Sequence, residues 1–162
     1  MTSTAPTTTY RTAPTTTYNS APPADPRVIA LAHYAGRAVL EHVLARHGAT
    51  FQQQITLRPL ATEGPLEREE LVGQVAGALK VEAAEVQGVI DELIAKGLVA
   101  AEATGVHATD AGRAFHAEAS AETAVISARI YAGIPAEDLA AAGRVLALVA
   151  ERANAELAAS AA

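Results

Sequence analysis

A chain of 162 residues, half of them hydrophobic, has the apolar material for one domain with a core. Twelve basic against eighteen acidic residues leave a net charge of −6, opposite to the basic surplus that meets nucleic-acid phosphates, so DNA contact has to be argued residue by residue. The absence of cysteine excludes disulfides, thiolate metal sites and thiol redox sensing; the start Met1-Thr2-Ser3-Thr4-Ala5-Pro6 has no signal pattern, and no apolar run of about 20 residues predicts a membrane span, so the expected compartment is the cytoplasm.

Thr4 to Tyr10 read Thr-Ala-Pro-Thr-Thr-Thr-Tyr, and Thr12 to Tyr18 repeat them before Pro22, Pro23 and Pro26. With almost no aliphatic side chains this stretch cannot offset its ordering entropy, so residues 1–25 are expected to be a disordered, polyproline-like tail and 26–162 the folded domain. Two roles stay open for the tail: an inert extension, or a segment whose Tyr10 and Tyr18 anchor in a groove of its own or a neighbouring subunit.

From Asp25-Pro26, Val28, Leu31, Ala32, Ala35, Val39 and Val43 recur at helical spacing and predict a long helix to about His47, stopped by Gly48. Thr50 can cap a second helix through Phe51, Ile55 and Leu60, with Pro59 kinking or shortening it. A third helix runs through Leu71, Val75 and Leu79. The fourth, from about Glu82 to Lys96, has Val86, Val89, Ile90, Leu93 and Ile94 on one face and Gly97 as its stop. Leu98 to Glu102 and Val106 to Ala108, around Ala103-Thr104-Gly105, predict a two-stranded hairpin. Thr109 caps a long fifth helix through Phe115, Val125, Ile126 and Ile130; Gly133-Ile134-Pro135 breaks it before a sixth through Leu139, Leu146, Val149 and Leu157.

Val75-Ala76-Gly77-Ala78-Leu79-Lys80-Val81, then Val86, then Val89-Ile90-Asp91-Glu92-Leu93-Ile94-Ala95-Lys96-Gly97-Leu98-Val99, then Ala108-Thr109-Asp110-Ala111-Gly112-Arg113-Ala114 together resemble the MarR family of bacterial transcriptional regulators. There the same run reads as helix, turn, recognition helix ending in a Gly-Leu-Val step, wing, and a Thr-Asp-x-Gly-Arg opening of the dimerisation helix. The likeness covers everything but the tail. It implies a mainly α winged helix-turn-helix fold with a small β wing and long terminal dimerisation helices, a homodimer that binds a palindromic DNA operator, and a small-molecule effector in the crevice beside the first, second and fifth helices. The sequence departs from the family in opening its recognition helix with Glu82-Ala83-Ala84-Glu85 and in its short wing. Pro65 to Leu71 also reads about one helical turn longer than the family's usual approach to the third helix.

With the apolar stripe of the fourth helix inward, Ala84, Glu85, Gln87, Gly88, Asp91 and Glu92 face out. Ala84, Gln87 and Gly88 are the candidates for base contact, since a glutamine amide can pair with adenine. Arg68, Lys80, His107 and Arg113 are the candidate phosphate partners, with Thr104 on the wing. From Leu66 to Val99, however, three basic residues meet seven acidic ones, a balance of −4. The crevice that the resemblance implies would be lined by His33, Tyr34, Arg37, Phe51, Gln54, Arg58, Phe115 and His116, flat apolar faces with a few polar hooks.

The five histidines lack metal-ligand spacing, Glu41-His42 being the one pair that could join a site built in three dimensions, so no metal or cofactor is expected. No phosphate loop, nucleophile elbow or cysteine nucleophile supports catalysis. The expected function is a ligand-responsive, DNA-binding repressor. The acidic balance keeps an alternative in play, a winged-helix dimer that has lost DNA binding and serves as a protein-interaction or small-molecule-binding module.

Overall fold

The computed structural model describes residues 23–103 and 105–160; the repeated tail with Tyr10 and Tyr18 and the wing-tip Thr104 lie outside them. The chain divides into two compact units, residues 1–36 and 37–162.

In the first unit the described residues open helix α1 (Pro26–Arg46). Asp25 accepts the Val28 amide at 2.8 Å and Pro26 takes the first helical position, where its missing N–H costs nothing.

The second unit holds the end of α1 and all later elements: α2 (Phe51–Thr62), β1 (Leu66–Glu67), α3 (Arg68–Leu79), α4 (Ala83–Ala95), β2 (Val99–Ala101), β3 (Gly105–Ala108), α5 (Asp110–Tyr131) and α6 (Ala136–Ser160). Gly48, Gly97 and Gly133 sit at φ of 66°, 69° and 79°, the left-handed turns that end α1, α4 and α5. At Thr50 a reciprocal capping box opens α2: its hydroxyl accepts the Gln53 amide and the Gln53 side chain accepts the Thr50 amide. Pro59 does not shorten α2: the helix continues to Thr62, and the Pro59 carbonyl accepts the Glu63 amide at 2.8 Å.

The sheet is three-stranded, in the order β1-β3-β2 and antiparallel throughout: the expected hairpin is β2–β3, and β1 adds a strand that the sequence reading did not expect. Leu66 and Glu67 are not an extra helical turn before α3; they pair with Val106 and Gly105. Gly105 favours that close approach, since a Cβ there would lie 3.0 Å from the Leu66 carbonyl oxygen and the strands would have to give slightly.

The core joins α2, α3, α4 and the sheet through Leu57, Leu60, Leu71, Val75, Val86, Ile90, Leu93, Val99 and Val106, all buried. On α4 the expected stripe is fully buried at Val86, Ile90 and Leu93 and partly buried at Val89 and Ile94. The Thr109-Asp110-x-Gly112-Arg113 run is the joint between wing and α5. Thr109 Oγ1 donates to the Gly97 carbonyl at 2.7 Å and accepts the Gly112 amide at 3.0 Å. A Cβ on Gly112 would collide with the Leu98 carbonyl oxygen, so only glycine lets α5 start this close to the end of α4.

A candidate reading helix and a candidate ligand cavity

Burying one side of α4 in the core turns Ala84, Gln87 and Gly88 outward together, three to four residues apart on one helical face. The cations expected beside them are mostly engaged within the fold. Arg68, at the start of α3, places Nη2 2.5 Å from Asp91 Oδ1 on α4 and 3.4 Å from the Gln87 carbonyl oxygen. Arg113 donates to the Ala108 carbonyl and to Asp110 Oδ1, which fastens the wing to α5. His107 lies with Nδ1 3.1 Å from Glu102 Oε1, close enough for an ion pair but not aligned as a hydrogen bond. Lys80 is exposed and ends α3 at φ 58°, in the left-handed region. The face around α4 also carries exposed Glu82, Glu85, Asp91 and Glu92.

A second feature lies between α2 and α5, with Leu40 of α1 in its wall. It is a cavity of about 320 Å³ lined by Leu40, Gln54, Ile55, Arg58, His116, Ser120, Thr123, Ala124 and Ser127. Of the residues expected in the crevice, Gln54, Arg58 and His116 come together there. Arg37 instead packs its guanidinium over the Phe51 ring, 4.6 Å from the centroid, and pairs with Glu41 at 2.8 Å. Phe115 packs on the core and meets His47 edge-on at 5.9 Å. His33 and Tyr34, in the first unit, are exposed and pair with each other, ring centroids 5.7 Å apart.

The polar wall is a chain of contacts. Gln54 Nε2 is 3.1 Å from His116 Nδ1, and His116 Nε2 is 3.4 Å from Ser120 Oγ. Burial first, and then the Arg58 guanidinium, lower the His116 pKa below its ordinary value, so at neutral pH the ring is uncharged and its Nδ1 accepts from the Gln54 amide. The cavity thus offers an apolar side at Leu40, Ile55 and Ala124, hydroxyls at Ser120, Thr123 and Ser127, and a cation at Arg58. Such a mixture suits a small amphipathic molecule. Of the α5 residues of this wall the sequence reading named His116 and missed Ser120, Thr123, Ala124 and Ser127, although His116, Ser120, Thr123 and Ser127 repeat at 4-3-4 spacing, a polar stripe on one helical face. Among the described residues no group of three or more His, Asp and Glu side chains could hold a metal ion.

A helix–turn–helix of α3 and α4, a β wing behind it, and long helices before and after in the chain define a winged helix-turn-helix protein. The fold is that of the MarR-type regulators, to which solved structures are similar over most of the chain. A MarR family protein of Mycobacterium tuberculosis shares 23% identity, with 76% of this chain and 92% of that chain covered and a TM-score of 0.59. NadR in complex with 4-hydroxyphenylacetate shares 21% identity over 80% of this chain and 96% of that one, TM-score 0.66. CouR of Rhodococcus jostii RHA1, bound to p-coumaroyl-CoA, shares 21% over 76% and 88%, TM-score 0.63. No protein-family model matches the sequence, and no curated protein matches it.

Proposed function

We propose that the chain is a ligand-responsive transcriptional regulator without enzymatic activity, which acts in the cytoplasm as a homodimer on a palindromic operator and releases it when a small molecule fills the α2–α5 cavity. The observation that carries this reading is the pairing, within one unit, of an outward Ala84–Gln87–Gly88 face on α4 with that cavity. The dimer is supported by α6, a 25-residue helix with no buried residue and with Leu139, Val145, Leu146, Leu148, Val149 and Leu157 all exposed. Two such reading helices, held about 34 Å apart, match successive major grooves, and a shift in their separation loses both half-sites together. The effector class is a small aromatic acid or a derivative of one, with Arg58 facing its anion. NadR and CouR, similar in fold, were captured with molecules that carry a hydroxyphenyl ring.

Selection of binding sites from random duplex DNA, at low and then moderate salt, tests this directly. Enrichment of a palindrome is expected, with affinity that Gln87→Ala weakens. A folded dimer that enriches nothing at low salt overturns DNA binding and leaves the second reading, an interaction or ligand-binding module. That reading is favoured by one observation: Arg68 and Arg113 are spent on Asp91 and Asp110.

A further inference from the structure

Helix α2 lies between the cavity wall on α5 and the reading helix α4, and two adjacent glutamines fasten it to each. Gln54, 7% exposed, bonds His116 of α5 at 3.1 Å. Gln53, 3% exposed, turns to α4: its Nε2 donates to Glu92 Oε2 at 2.8 Å, and its Oε1 accepts from Lys96 Nζ at 2.8 Å. Lys96 Nζ also donates to the Gly48 carbonyl at 2.8 Å, in the turn that leads into α2. Gln53 Oε1 further accepts the Thr50 amide of the capping box, at 3.3 Å. The first turn of α2, the turn before it and the last turn of α4 with its cap are thus one polar network, in which the buried Gln53 amide bonds partners that reach it from the surface.

We propose that Gln53 is the positioning residue through which the state of the cavity reaches the reading helix: a molecule that displaces the Gln54–His116 wall moves the first turn of α2, and Gln53 carries Glu92 and Lys96 with it. The proposal rests on the reading of the cavity as an effector site. Its physical basis is that the Gln53 amide is buried, so that leaving its oxygen or nitrogen unpaired is costly and Gln53 holds its partners when it moves. The apolar contacts of α2 with α4 can slide and repack; the three side-chain bonds of Gln53 share one amide group and shift together. Neither Glu92 nor Lys96 is a base-contact candidate, so their part is to hold α4.

The test is a double-mutant cycle with no ligand present, on the full chain at one protein concentration, by urea unfolding of Lys96→Met, His116→Gln and the pair. These side chains share no partner, and substitutions at such sites normally act independently. A relay predicts instead that the effects on the unfolding constant depart from independence by at least threefold, and that the departure disappears in a Gln53→Leu background. A departure below threefold, or one that persists without Gln53, overturns the relay. Should Gln53→Leu lose its cooperative transition, Gln53→Met, closer to the native shape, takes its place in the same cycle. Because no ligand enters the measurement, a failed relay leaves the effector reading standing. A cavity that bound no small molecule would remove the signal and leave the coupling intact.

Discussion

Lys80 closes α3 in a backbone conformation that costs an L-residue about 1 kcal/mol and glycine almost nothing. Lys80→Gly is therefore expected to raise the unfolding free energy by about 0.5–1 kcal/mol in urea titration while weakening duplex binding, the signature of a lysine kept for its charge. No change in duplex affinity would remove Lys80 from the DNA face. At Gly112 the sign is opposite. A methyl group has to displace the Leu98 carbonyl, so Gly112→Ala should cost about 3 kcal/mol, read as a fall in the urea midpoint. His116 adds a pH dependence. Its native ring resists protonation below its ordinary pKa of 6.5, whereas the unfolded chain takes up the proton there. Its contribution is therefore complete above pH 6.5 and is lost as pH falls below that value towards the lower native pKa. Thermal unfolding between pH 7.5 and 5 should show this decline, and His116→Gln should flatten it; equal slopes in both proteins would rule it out.

At the scale of elements, periodicity and caps made the helices legible. The α4 stripe needed only 3.6-residue spacing, and Thr50 and Thr109 both cap where their position before a helical pattern suggests. Thr109→Ala should cost more than the usual cap, about 2 kcal/mol, because the hydroxyl also holds the Gly97 carbonyl; calorimetry of the variant checks it. Strand β1 was not legible, since two residues carry no period and their partners, Val106 and Gly105, lie nearly forty positions later. The cavity was half legible for a related reason. Gln54 and Arg58 follow from their place on α2, but Phe51 and Phe115, plausible ring contacts by type, are taken up by Arg37 and by the core. Residue type announces what a side chain can do; which face it occupies was written in the α5 stripe His116-Ser120-Thr123-Ser127.

For the whole molecule, net charge and local pairing bear on the same question of how an acidic protein would hold DNA. Duplex affinity falls with salt in proportion to the phosphates neutralised, roughly 0.9 in the logarithmic slope for each. With Arg68 held by Asp91, Arg113 by Asp110 and Lys96 turned to Gly48 and Gln53, Lys80 is the candidate phosphate partner for which no ion pair is seen among the described residues, so a dimer is expected to show a shallow slope, near −2. The Arg68–Asp91 pair turns this into a sharper prediction. Its arginine reaches across the outer side of α4, where the Asp91 carboxylate both cancels its charge and repels a phosphate on its own account. Asp91→Asn keeps the shape and a hydrogen-bond acceptor, removes the negative charge, and frees one cation per protomer. Titration of the selected duplex at several salt concentrations should then give tighter binding and a slope steeper by about 2 for the dimer. Arg68→Gln in the same background should return the slope to its starting value, since the gained contacts belong to that guanidinium. A slope that Asp91→Asn leaves unchanged would mean that the arginine braces α3 against α4 and never faces a phosphate, which would move the balance toward a winged-helix dimer that binds partners other than DNA.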